Sequence, residues 1–240
     1  TLPALPFTLW AARHIAIQIP NRTHLTHVIL LFCGAAALHT ALWVGLNANT
    51  EAAEHRFKNL LSHTQLSKHA GSYGWEILGR YYRLQKQSGK SLEAYRSALE
   101  ANPNNYRHWI AVGNAYCDIN QYDRGLIHLK KAAELQPEFA PTYSNIGVAC
   151  LRLGQYQEAL VYLKKAAELD DGIATVHSNL AMAYQALDQP DKAIEHLEKA
   201  ITLKPDLADA HANLGAIYHH MDQPEKAIEH LEKAIALNPR

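Results

Sequence analysis

The chain has 240 residues, and its 23 basic and 23 acidic side chains cancel. That balance, with no basic stripe interleaved with aromatics, argues against a nucleic-acid partner. Three cysteines, Cys33, Cys117 and Cys150, stand without CxxC spacing, which argues against a disulfide framework and against a cysteine zinc site.

The first 49 residues are predicted to be membrane-embedded. Residues 28–46, VILLFCGAAALHTALWVGL, contain no Lys, Arg, Asp or Glu. As a helix they reach about 28 Å, close to the hydrocarbon thickness of a bilayer. Trp43 suits the interface, Cys33 reads as packing within the span, and His39 is the one costly residue. The preceding TLPALPFTLWAARHIAIQIP is also apolar, with Arg13 its only charge, and reads as the end of an earlier membrane helix, so that sequence upstream is expected. A buried core helix is the alternative for 28–46, but nothing else in the chain could surround it. Arg13 and Arg22 lie before the span and Arg56 and Lys58 after it, which tilts the remainder of the chain toward the non-cytoplasmic side.

Residues 50–71 read as one linking or capping helix. Phe57, Leu60 and Leu61 share a face, and Gly71 is placed to end it.

From Ser72 onward the chain has a period of 34. Five units fall in register: 72–105, 106–139, 140–173, 174–207 and 208–240. The duplication is plainest in QPDKAIEHLEKAI from Gln189 and QPEKAIEHLEKAI from Gln223. Position 4 of each unit is Trp75, Trp109, Tyr143, His177 and His211; position 8 is Gly79, Gly113, Gly147, Ala181 and Gly215. Position 24 is Tyr95, Leu129, Leu163, Leu197 and Leu231, and position 27 is always alanine. Positions 4, 7, 8 and 11 make one stripe of a first helix, and 20, 24 and 27 one stripe of a second. Small residues at 8, 20 and 27 let the two helices approach, and large ones fill the gaps beside them. Pro103, Pro137, Pro205 and Pro239 stop the second helix, and Asp170-Asp171-Gly172 does so in the third unit.

This pattern resembles the tetratricopeptide repeat family, which implies an all-α superhelical solenoid of five helix-turn-helix units; the apolar N-terminal runs place one or two transmembrane helices before it. The resemblance implies that the first helices line a groove that holds a protein or an extended peptide. Positions 2, 6, 9 and 13 lie on the face of the first helix away from the core stripe. Position 6 carries Asn145, Asn179 and Asn213 in consecutive units. They are similar to the asparagine ladder of the O-linked N-acetylglucosamine transferases, whose amides bind a peptide backbone; equally, they read as solvated consensus residues. Arg80, Arg83, Asn114, Arg152 and Gln185 complete the candidate groove. Position 5 (Glu76, Ile110, Ser144, Ser178, Ala212) lacks the residues with which relatives clamp a C-terminal carboxylate.

No catalytic constellation, phosphate loop or cofactor motif stands out. His219-His220, near His211, and the His24/His27 pair with His14 are the candidates for metal ligands; packing or surface placement is the favoured reading, and no metal or cofactor is expected. Three readings of function stay open. The first is a membrane-anchored scaffold that binds a peptide or protein and performs no catalysis. The second is the tail of a larger membrane glycosyltransferase, since LPALP, a span and then repeats resemble the end of such polytopic enzymes. The third is a subunit that self-associates through uncapped solenoid ends.

Overall fold

The computed structural model describes residues 50–63 and 68–238, which hold eleven α-helices and no strand. The expected span 28–46, and all of residues 1–49, lie outside the described residues. Among the described residues no helix is long and apolar enough to cross a membrane. The chain divides into two compact units, 1–74 and 75–240.

In the first unit, α1 runs from Thr50 to His63. Its buried face carries Phe57 and Leu61, while Leu60 is exposed. Leu61 presses against the backbone of Gly74 so closely that a Cβ there would collide with it. The sequence expectation that Gly71 ends a helix does not hold. α2 (Lys68–Leu84) continues through Gly71, and residues 64–67 between it and α1 lie outside the described residues. Gly71 faces open space, with nothing within 4 Å of the place a Cβ would occupy. Its lack of a side chain lowers helix propensity by only about 1 kcal/mol, less than the packing of a long helix supplies.

The remaining helices are α3 (Ser88–Ala101), α4 (Tyr106–Asp118), α5 (Tyr122–Leu135), α6 (Ala140–Arg152), α7 (Tyr156–Leu169), α8 (Ala174–Ala186), α9 (Pro190–Leu203), α10 (Ala208–His220) and α11 (Pro224–Leu237). From α4 on, each repeat is one helix pair that packs on itself and then on the first helix of the next repeat. One continuous core results, from Leu126 through Ile146, Leu163, Leu180 and Leu197 to Leu214 and Ala227. No pair could bury this stripe alone, so stacking is what stabilises the array.

The turn inside each repeat is stereotyped. Position 15 has a positive φ every time: Lys86 (56°), Asn120 (60°), Gly154 (74°), Asp188 (55°) and Asp222 (57°). The N–H of the next residue, a glutamine in all five repeats, reaches back to the carbonyl of position 11, as Gln121 does to Tyr116 and Gln155 to Cys150, both at 2.9 Å. A left-handed residue with this back-bond closes the first helix, and the same glutamine is the N-cap of the second. At the far end of each second helix, the N–H after the last helical residue bonds to the carbonyl of the position-27 alanine. Proline or its Asp171 replacement follows directly and prevents continuation.

One buried hydroxyl is out of keeping with this core. Thr142 is fully buried, and its Oγ1 has no hydrogen-bond partner. The same position one repeat later is Val176, equally buried. Replacing an unsatisfied buried hydroxyl by a methyl removes its desolvation cost at nearly constant volume. Thr142→Val is therefore expected to raise stability by about 1 kcal/mol, read as a higher urea midpoint at unchanged slope.

Candidate functional site

The first helices form the tighter wall of the stack. Adjacent first helices touch one another, α4 with α6 and α6 with α8, in addition to their contacts with second helices. Their core stripe is closed: Leu180, Ala181, Leu214 and Ile146 are buried. The opposite face stays accessible. Position 2 is exposed at Arg107, Pro141, Thr175 and Asp209, and position 13 at Asp118, Arg152, Ala186 and His220.

Asn145, Asn179 and Asn213 sit on this face, one each on α6, α8 and α10, and all three are half-buried. None of the three amides hydrogen-bonds to another described residue. Each therefore presents a carbonyl and an NH2 group to whatever lies against the wall. Asn114 is half-buried at position 9, and Gln185 is exposed at position 12. Sequence reasoning passed over the apolar residues beside the asparagines. Position 9 in the last three repeats is Val148, Met182 and Ala216, and Met182 is 41% exposed. The signal was available, since position 9 neighbours position 6 on the same helix face.

The arginines divide. Arg80 pairs with Glu76 at 3.0 Å, one turn away on the same helix. Arg83 reaches from α2 to α4 and grips both carboxylate oxygens of Asp118, at 2.8 and 3.3 Å. The Arg83 guanidinium thus ties the first two repeats together. Arg152 makes no ion pair among the described residues and is exposed. Glu76 also approaches buried His108 at 3.5 Å. The hydrogen bond to His108, with the charge of Arg80, holds the Glu76 carboxyl below the usual carboxylate range.

The histidines at position 4 replace an aromatic side chain function for function. Trp109 donates its ring N–H to the carbonyl of Pro103 at 2.7 Å. His177 Nε2 meets the carbonyl of Asp171 at 3.1 Å, and His211 Nε2 that of Pro205 at 3.3 Å, in the same relation one and two repeats further on from Tyr143. His219 and His220 are exposed neighbours with ring centroids 6.0 Å apart. Among the described residues no three His, Cys, Asp or Glu side chains gather as metal ligands do. Burial raises the Cys150 thiol to about 11 and pushes Cys117 upward as well, so both stay protonated and unreactive near neutrality.

Tetratricopeptide repeat models match residues 73–105, 138–206 and 172–240, more than half of the chain. A search of curated proteins finds no match. Among solved structures, a crystal structure of MamA is 28% identical, with a TM-score of 0.58 over 67% of this chain and 94% of that one. TTC0263, a thermophilic tetratricopeptide protein of Thermus thermophilus, is 20% identical, with a TM-score of 0.63 over 70% of this chain and 92% of its own. YrrB, a tetratricopeptide protein with an unusual peptide-binding site, is 23% identical, with a TM-score of 0.55 over 76% of this chain and 91% of its own. The matched family is one of repeat scaffolds, not of enzymes. By its 34-residue helix pairs, their shared core and these matches, the chain belongs to the tetratricopeptide repeat family.

Proposed function

We propose that this chain is a membrane-anchored scaffold that holds an extended peptide or protein segment along its first-helix wall. The observation that carries the reading is the row of three half-buried, unpartnered amides at one position of consecutive repeats. An amide offers one donor group and one acceptor group, which matches the N–H and C=O of an extended backbone whatever its side chains. Val148, Met182 and Ala216 beside the asparagines favour small apolar side chains on the bound segment. Anchoring rests on the uncharged run 28–46, and the placement of the repeats outside the cytoplasm on the arginines around it.

The test is a combined Asn145→Ala, Asn179→Ala and Asn213→Ala variant of the full chain. A peptide selected from a library on the wild-type protein serves as probe. Each lost pair of backbone contacts costs about 0.5–1.5 kcal/mol net, so affinity is expected to fall at least tenfold, with the circular dichroism melt unchanged. Unchanged affinity rejects the asparagine row as the binding element. The alternative of a glycosyltransferase tail rests on order of parts alone and gives no residue here a catalytic role.

Self-association is favoured by a separate observation. Leu129, Leu163 and Leu197 are fully buried at position 24, whereas Leu231 on α11 is 40% exposed, beside Ile228 and Ile235 at 56% and 69%. If copies of the chain meet through this face, sedimentation at rising concentration shows oligomers that Leu231→Glu abolishes. A single species at all concentrations rejects it.

A further inference from the structure

Two histidine pairs join the helices of the last two repeats. His177 Nδ1 faces His196 Nδ1 at 3.2 Å across α8 and α9, and His211 Nδ1 faces His230 Nδ1 at 3.1 Å across α10 and α11. In both pairs the ring centroids are 5.4 Å apart, so the rings meet edge to edge with the two Nδ1 atoms between them. A proton fits this line; a metal ion with nitrogen distances near 2.0–2.1 Å on each side does not. The tautomers follow from the far side of the ring. His177 and His211 place Nε2 against the carbonyls of Asp171 and Pro205, and a carbonyl only accepts. Their Nδ1 atoms are then bare in the neutral form and accept the Nδ1–H of His196 and His230. His177 and His211 are 2% and 5% exposed. Tyr184 and Tyr218 lie nearly parallel to the outer ring of each pair.

Such a pair can share one added proton, because a single N–H···N bond survives with the charge on either ring. A second proton sets N–H against N–H and breaks the contact. We propose that these two pairs make the fourth and fifth repeats an acid-loosened segment, while the third repeat stays closed. The third repeat is the built-in control: the same positions hold Tyr143, Tyr162 and Cys150, with no imidazole. In the second repeat His128 stands alone, bonded to the carbonyl of Arg124 at 2.9 Å.

Burial first, and the partner histidine second, hold His196 and His230 below the usual imidazole range. A folded-state value below the unfolded one, about 6.5, gives stability that is present above that pH and is lost as pH falls through it. The surroundings differ between the pairs. Around His196 stand His177, Glu195, Lys199 and Lys164, with Asp171 held between His177 and Lys199 and with Lys192 over Tyr184. Around His230 stand His211, Glu229, Lys233 and Glu198, with Lys226 over Tyr218. Two lysines face His196 where one faces His230.

Hydrogen exchange on the full chain at pH 7.5 and 5.5, corrected for intrinsic rates, tests this. Protection in α8–α11 is expected to fall at least tenfold more than in α6–α7. In a His196→Asn and His230→Asn variant, whose amides donate to the same Nδ1 atoms but take no proton, the difference disappears. An equal change across α6–α11 in the wild type, or a variant that keeps the difference, overturns the proposal. Should that variant not fold, side-chain nitrogen shifts of the wild type decide. His196 and His230 must stay neutral to below the usual imidazole range, and titration within that range overturns it.

Discussion

Leu163→Ala is expected to lower stability by about 3–5 kcal/mol and to split one urea transition into two. Leu163 is fully buried on α7 and rests against the bare backbone of Gly147, where a Cβ would come within 2.5 Å of its Cγ. It sits in the middle of a core that runs from Leu126 to Ala227, with its counterparts Leu129 and Leu197 on either side. Truncation leaves a cavity that two rigid helices cannot collapse to fill. Because each repeat touches only its neighbours, damage at the centre also uncouples the two halves. Leu231→Ala removes the same atoms at the same repeat position, but Leu231 is 40% exposed, so the loss there should be under about 1.5 kcal/mol. Equal losses at the two sites would reject the account.

Gly125→Leu is the second large effect, an expected loss of about 3 kcal/mol. Gly125 on α5 and Gly113 on α4 bring two helix backbones together. A Cβ on Gly125 would lie 3.0 Å from the carbonyl oxygen of Gly113 and 2.6 Å from Cys117 Sγ, and one on Gly113 would lie 3.1 Å from the carbonyl oxygen of Gly125. Side chains can turn aside, but a backbone carbonyl moves only with its helix. A leucine therefore has to separate α4 from α5 and unseat Leu129, whose Cγ lies over Gly113. Gly89 on α3 is the matched control. It is exposed and nothing lies within 4 Å of its absent Cβ. Gly89→Leu should raise stability by about 0.5–1 kcal/mol through helix propensity alone. Chemical denaturation of both variants checks the pair, and a stable Gly125→Leu protein would mean that the helices do not cross here.

The repeat register, the two helices of each unit and the small-against-large core were legible because they obey a helical period that the order of residues alone reveals. Gly147 against Leu163 is such a case. The left-handed turn was half legible. Asn120, Gly154, Asp188 and Asp222 are the residues that tolerate a positive φ, but Lys86 in the same place hides the rule, and only backbone angles expose it. Gly71 was misread as a helix end because glycine marks one only when its φ is positive, and Gly71 lies within α2. Among the candidate groove residues, Arg83 reads in sequence as a free cation, yet Asp118 occupies it from 35 residues away. Spacing along one helix cannot show a partner on the next. The histidine pairs were hidden for the same reason, since positions 4 and 23 lie on different helices and meet only when the hairpin closes.

The stereotyped hairpin has a consequence for how such a chain can vary in length. Residues 174–207 make every contact of the core through faces that the flanking repeats reproduce: α7 meets α8 as α9 meets α10. Excising those 34 residues would set α7 against α10, Leu163 against the Leu214 stripe in place of Leu180, and leave no unfilled surface between them. Duplication would be equally silent, and Gln189–Ile201 and Gln223–Ile235 already differ at a single residue, Asp191 against Glu225. What an added or lost unit changes is reach. Each one extends or shortens the row of asparagines by a single residue, so under the proposed reading the length of a bound segment would follow the number of repeats, not any redesign of the wall.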